Sequence, residues 1–85
     1  MPLGRIVATQ AALIRVPPEE IASALVRHQN RDWGNLSASD RFANDQALRE
    51  GTRILSAYRS AAGEPFWILT GADRSATTVL LPEDY

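Results

Sequence analysis

The residues best suited to acid–base chemistry are the single histidine, His28, and a polar cluster in the last third of the chain. That cluster reads Asp73–Arg74–Ser75–Ala76–Thr77–Thr78. A histidine that moves protons, beside an arginine and hydroxyl groups that hold a phosphate, is the arrangement of a small ribonuclease. The candidate catalytic residues of this hypothesis are His28, Arg74, Ser75 and Thr77. It requires His28 and Arg74 to face one cleft, which the sequence does not establish.

Both features also have a purely structural interpretation. His28 follows Ile21 by seven residues on the apolar face of a predicted helix, where a half-buried histidine bonded to its neighbours is common. The polar cluster is typical of a turn in which Asp73 caps and Ser75 bonds locally, while threonines favour a strand. A non-enzymatic protein is therefore the favoured interpretation, with the ribonuclease as an alternative.

Composition excludes several other kinds of site. The chain has no cysteine and one histidine, so we expect neither a metal site nor a cofactor. Glycine-rich phosphate loops and nucleophile elbows are absent from the sequence. All nine basic residues are arginines, and the net charge of -1 provides no general basic field, so direct nucleic-acid binding is not expected.

Three runs of strand-forming residues separated by short turns occupy residues 52–81. They read TRILSAYRS, PFWILT and ATTVLL, with AAGE and GADRS between them, and they predict an antiparallel meander. Large apolar side chains alternate onto both faces of the middle run, which includes Trp67 and Leu69. One face therefore needs a cover, which is either a partner, a second copy, or the chain's own N-terminal strand or C-terminal tail.

The first half of the sequence predicts helices that cover the other face. Residues 4–8 form a short strand with Ile6 inward, followed by a helix over 10–15 capped by Thr9; one longer strand over 6–16 is the alternative. Further helices are predicted over 18–29 and 38–50. The large side chain of Trp33, in the loop between these two, fills the space between them.

The chain of 85 residues, with 45% hydrophobic and 22% charged residues, predicts one α+β domain over 1–85. We expect an antiparallel sheet of three or four strands with two or three helices packed on one face. No apolar run approaches the roughly 18 residues that would span a bilayer, so a soluble, cytoplasmic protein is expected.

Several segments together resemble a family of short bacterial proteins carried by plasmids, phages and other mobile elements. The segments are RH at 27–28, DWGNLS at 32–37, Asp40, Asn44, RILSAY at 53–58, FWILT at 66–70, ADRSATT at 72–78 and LLPEDY at 80–85. The resemblance covers nearly the whole chain. It departs from the family pattern at Gly71, where an acidic residue is favoured, which weakens a catalytic role for the Arg74 cluster.

The resemblance implies an inhibitor of a host defence system, of the anti-CRISPR or antirestriction type, that acts by stoichiometric binding to a protein complex. The expected contact residues are those of the shared segments that we expect to be exposed: Asp32, Trp33, Asp73, Arg74, Glu83 and Asp84. Besides the ribonuclease, the remaining alternative is a structural or regulatory homodimer formed through the Trp67 face. We therefore expect either a monomer or a homodimer.

Overall fold

A four-stranded sheet is the central element of the structure, a computed structural model that describes residues 1–85. The strands are β1 Arg5–Ala8, β2 Ile54–Arg59, β3 Pro65–Thr70 and β4 Ala76–Leu80. The helices are α1 Gln10–Arg15, α2 Pro18–Gln29 and α3 Ala38–Glu50, and a short 3₁₀ turn follows at Pro82–Asp84. The predicted α+β class is confirmed.

The sheet is mixed, so the expectation of an all-antiparallel sheet is wrong. Its strand order is β1-β4-β3-β2. The last three strands form the predicted antiparallel meander, whereas β1 pairs with β4 in the parallel direction. Short turns force antiparallel neighbours. β1 reaches β4 only through three helices and two strands, and such a long connection leaves its direction open, which is why the sequence pattern did not reveal it.

The N-terminal segment is a strand followed by a helix, as predicted in preference to one long strand. The Thr9 side chain accepts a hydrogen bond from the backbone N–H of Ala12 and so caps α1. Pro18 occupies the first turn of α2, and Ser37 caps α3 by accepting from the N–H of Asp40. Ile6 pairs with the buried Thr77 and so lies on the predicted inward face, but at the sheet edge its side chain is 46% exposed.

Alternation along the strands divides the sheet into two faces. Ile54, Ser56 and Tyr58 of β2 are buried, as are Phe66, Ile68 and Thr70 of β3. Residues between them are only half-buried. The buried face packs against α1 and α2 in the main core cluster, and Ile54 packs with Trp33 and Ala47 of α3 in a smaller one. The helices thus lie on one side of the sheet. No helix has the length and apolar character needed to cross a membrane.

Candidate functional site

His28 lies in the interior, between α2 and the buried face of the sheet. Its side chain is 0% exposed. The ring atom Nδ1 is 2.5 Å from Ser56 Oγ on β2, and Nε2 is 2.8 Å from Thr70 Oγ1 on β3. The ring of Trp33 packs edge-on against it, with ring centroids 5.8 Å apart. Both ring nitrogens are therefore occupied, and neither faces solvent.

The hydrogen bonds run in one direction through five residues. Thr77 Oγ1 donates to the carbonyl oxygen of Leu3 at 2.7 Å, because a carbonyl can only accept. A hydroxyl has one proton to donate, so Thr70 must donate to Thr77 across their 2.8 Å contact. By the same reasoning, His28 donates from Nε2 to Thr70, and Nδ1 of a neutral ring then accepts from the Ser56 hydroxyl. The chain of donors thus fixes the Nε2–H tautomer of a neutral imidazole.

The electrostatic surroundings also keep this ring neutral. Burial away from water, together with a smaller effect of the positive charge of Arg74, lowers the pKa of His28 from its ordinary 6.5 to about 4. No buried side-chain nitrogen or oxygen atom of the protein is left without a hydrogen-bond partner. A neutral, fully bonded and enclosed histidine has no route for exchanging protons with a substrate. It acts as a packing and hydrogen-bonding residue.

Arg74 is committed to the backbone near the C-terminal end of α3. Its Nη1 donates to the carbonyl oxygens of Thr52 and Gly71 at 2.7 and 3.0 Å, and Nη2 donates to that of Ala47 at 3.1 Å. A cation bonded to carbonyls at the C-terminal end of a helix interacts favourably with the negative end of the helix dipole. Arg74 itself has a φ of 61°, in the left-handed region, within the turn between β3 and β4.

The remaining residues of the polar cluster form that turn, as the structural interpretation predicted. Asp73 Oδ1 accepts from both the backbone N–H and the hydroxyl of Ser75, at 3.0 and 2.8 Å, and these bonds lower the pKa of Asp73. Ser75 is exposed while Thr77 is fully buried. The structure therefore does not bring His28, Arg74, Ser75 and Thr77 together around an accessible space.

Two of the expected contact residues lie beside the end of α2. Asp32 forms a two-pronged ion pair with Arg27, at 2.7 and 3.2 Å, which lowers the pKa of Asp32. Trp33 is only 4% exposed and donates from Nε1 to Asp45 at 3.1 Å. The expectation that Trp33 is an exposed contact residue is therefore wrong, whereas its predicted place between the helices is confirmed. A buried aromatic ring cannot contact a partner.

The acidic residues near the end of the chain lie beside the start of α1. Asp84 accepts from the Thr9 hydroxyl at 2.8 Å and from the Leu81 N–H at 3.0 Å, and these bonds lower its pKa. Glu83 forms an ion pair with Arg15 at 2.9 Å. Both side chains are exposed, so the turn that carries them crosses the end of the sheet with its acids at the surface.

Two shallow clefts exist, and neither contains His28 or Arg74. One, of about 170 Å³, lies between α2 and the paired ends of β2 and β3. The other, of about 300 Å³, lies between α3 and the start of β2, and includes Asp40 and Arg53. No group of three or more histidine, cysteine or acidic residues is placed to hold a metal ion. The first cleft contains Glu20 and Ser23, but Glu20 accepts from the backbone N–H of Ala61 rather than from the serine hydroxyl.

The side of the sheet opposite the helices is the least covered surface of the fold. We call it the open face; its central strand residues are Val7, Leu55, Ala57, Trp67, Leu69, Thr78 and Leu80. None of these seven residues is acidic; Val7 is exposed, Leu80 is buried and the other five are half-buried. Arg5 lies on the same face, because it alternates with the inward-paired Ile6.

One aromatic residue from the end of the chain lies over part of the open face. The ring of Tyr85 packs edge-on against Trp67, with centroids 5.6 Å apart. Arg53 lies over the Tyr85 ring at 5.4 Å and donates to its hydroxyl. Tyr85 is nevertheless 62% exposed. The tail thus covers Trp67 only in part. It is one of the covers that the sequence analysis offered for the second face of the sheet.

The sequence did not reveal the hydrogen-bond partners of His28 or the position of β1 at the edge of the sheet. The signal for Thr70 was present, because it alternates in phase with Phe66 and Ile68 and so falls on the buried face. A polar residue at a core position requires a hydrogen-bond partner there.

Comparison with protein-family models, with curated proteins and with solved structures finds no match to this chain.

Proposed function

We propose that this protein acts by stoichiometric binding to another protein, through the open face, as a mobile-element inhibitor of a host defence complex in the cytoplasm. The observation that carries the binding role is the contrast between the two sides of the molecule. The single histidine is enclosed and bonded internally, while Trp67 and Leu69 are only half-buried on a sheet face whose strand residues include no acid.

The open face has the character of a contact surface rather than of an ordinary solvated sheet. Solvent-facing strand positions usually carry polar residues, and an apolar patch rimmed by charge marks an interaction site. Here Arg5 and Arg53 border the apolar side chains, and the exposed Tyr85 ring adds an aromatic residue of the kind that concentrates binding energy. A partner surface that presents apolar groups with a surrounding acidic rim matches these features.

The choice of a defence complex as the partner comes from the sequence resemblance to mobile-element proteins. Within that proposal, Glu83 and Asp84 are contact candidates in the turn before Tyr85, where they lie beside α1. Asp73 and Asp32 remain on the exterior but are held by internal hydrogen bonds. They are secondary candidates for contact.

The test is an affinity capture from a host lysate that contains CRISPR and restriction systems, followed by mass spectrometry. Recovery of one defence complex in near-stoichiometric amount is the expected result. Arg53→Glu, on the border of the open face, should reduce recovery at least about tenfold, since it brings a negative charge against the acidic rim expected of the partner, and like charges across an interface cost several kcal/mol. Arg49→Glu is the matched control, because Arg49 is exposed in the last turn of α3.

Two results would overturn the proposal. Recovery of no specific protein from a host known to express these systems would remove the partner class. Equal recovery by both charge-reversal variants would show that binding does not involve the open face. The enclosed His28 predicts that the protein does not cleave RNA. Cleavage by wild type that is lost in a folded His28→Ala variant would therefore restore the ribonuclease hypothesis.

A further inference from the structure

One edge of the sheet, the outer side of β1, is not paired with any other segment. The backbone N–H groups of Arg5 and Thr9 donate at 2.9 Å to the carbonyls of Ser75, just before β4, and of Val79 within it. In a parallel ladder, alternate residues direct both backbone groups to the same neighbour. The N–H and C=O groups of Ile6 and Ala8 therefore point away from β4, towards the outside. We call this strand side the β1 edge.

The opposite edge of the sheet is covered. The amide of Asn44 donates to the Leu55 carbonyl at 2.8 Å and accepts from the Leu55 N–H at 3.3 Å. Two residues further along β2, the N–H of Ala57 donates to the Trp33 carbonyl at 3.2 Å, and the Ala57 carbonyl accepts from the N–H of Asn35 at 2.7 Å. An exposed strand edge invites pairing with another chain, so folds commonly block it. This protein blocks β2 and leaves β1 free.

Exposed apolar side chains concentrate in β1 and in α1, the helix that follows it. The large hydrophobic residues that lie at the surface number seven, and four of them belong to β1 and α1. These four are Ile6, Val7, Leu13 and Ile14, which are 46%, 39%, 57% and 75% exposed. Isolated exposed apolar residues are normal, but Ile6 and Val7 lie on opposite faces of β1 and so flank its unpaired backbone groups on both sides, which indicates an edge that is buried in use.

We propose that the β1 edge pairs with the β1 edge of a second copy, antiparallel, about a two-fold axis that passes beside Val7. Ile6 of one copy then faces Ala8 of the other, and the two residues exchange both backbone hydrogen bonds. The symmetric pair repeats the exchange on the other side of the axis. All four outward groups of each copy are satisfied, and the two sheets join into one of eight strands.

Charge and symmetry favour a second copy over an unrelated strand. In this register Arg5 faces Thr9 of the other copy, so no like charges meet across the edge, whereas Val7 meets its own symmetry mate on the open face. A dimer through the Trp67 face lacks this complementarity, because Arg5 and Arg53 would approach a second arginine-bearing face that has no acidic residue. The β1 edge is thus the better dimer surface.

The first test measures mass in solution by sedimentation equilibrium over a hundredfold range of concentration, without any host protein. Wild type should approach twice 9.3 kDa as concentration rises. Val7→Arg places two arginines directly opposite each other and should raise the dimer dissociation constant at least about tenfold. Val26→Arg is the matched control, because Val26 is 56% exposed on α2 and lies away from the β1 edge.

A second test remains informative if Val7→Arg lowers the stability of the fold. The chain contains no cysteine, so Val7→Cys introduces a single thiol. Residues that face each other in a non-hydrogen-bonded antiparallel pair have Cα atoms about 4.5 Å apart, within the range of a disulfide. Mild oxidation should cross-link Val7→Cys into a dimer much faster than Val26→Cys.

The proposal is overturned if wild type remains at 9.3 kDa at the highest concentration, or if the two cysteine variants cross-link at the same rate. A dimer that persists in Val7→Arg as in Val26→Arg would also overturn it, since the contact would then lie elsewhere. None of these outcomes depends on the identity of a binding partner. Failure of the dimer and failure of the proposed inhibitor function are therefore distinguishable.

Discussion

Acidification from pH 7.5 to 5.0 should destabilise this protein through one residue, His28. In the folded state its pKa is about 4, against an ordinary value of 6.5, because the ring is buried and lies near the charge of Arg74. The unfolded chain therefore binds a proton at a pH where the folded chain does not. Because the unfolded state binds more protons, the free energy of unfolding falls as the pH is lowered through 6.5, and it continues to fall until about pH 4.

The size of the effect follows from the two pKa values. At pH 5.0 almost all unfolded molecules carry the proton, whereas only about a tenth of folded molecules do. Integration of the proton difference between pH 7.5 and 5.0 gives a loss of about 2 kcal/mol. Asp32, Asp73 and Asp84 have pKa values lowered below 3.8, so their stabilising effect is lost only at lower pH. The window thus isolates the single histidine.

The assay is urea unfolding at several pH values between 7.5 and 5.0, followed through the fluorescence of the buried Trp33. His28→Gln is the control variant, because it retains a donor near the position of Nε2 but has no titrating group. Its stability should be lower at pH 7.5 and nearly constant across the window. A wild-type change below about 0.5 kcal/mol, or an NMR titration of His28 near pH 6.5, would refute the enclosed, neutral imidazole.

Two substitutions test how the sheet is held at its covered edge. Asn44→Leu leaves the N–H and C=O of Leu55 without partners and should lower the free energy of unfolding by about 2 kcal/mol in urea, whereas a loss below about 0.5 kcal/mol would argue against this edge contact. Gly34→Ala should cost at least about 2 kcal/mol more than Gly51→Ala. Both glycines have a φ of 75°, but only at Gly34 would a Cβ overlap the carbonyl oxygen of Ala57, so equal losses would contradict the close approach.

The sequence predicted those elements whose signals are local. Two punctuated turns between alternating runs defined the meander, and Thr9 marked the start of a helix that the structure confirms. The turn interpretation of Asp73 and Ser75 was likewise correct. Each of these features depends on interactions between residues a few positions apart, and short-range backbone chemistry decides them.

The features that sequence reasoning missed depend on contacts distant in the chain. Ile6 was expected to point inward, yet β1 lies at the edge of the sheet beside β4, about seventy residues later, where its side chain remains exposed. Asn44 occupies a buried position in a helix that otherwise looks polar, because its amide pairs with a strand edge. No local pattern distinguishes such an asparagine from a solvated one.

The same distinction explains why the residues that look most catalytic have no accessible chemistry. Thr70 and Thr77 face each other on neighbouring strands, and together they connect His28 to the carbonyl of Leu3. A shift of β3 by one residue would move Thr70 to the open face and leave the His28 Nε2–H buried without a partner. The buried chain of hydrogen bonds therefore specifies strand register, since only one pairing satisfies every donor. Functional contacts must then come from the exterior, where the open face and the β1 edge are the two surfaces that the fold leaves without a partner.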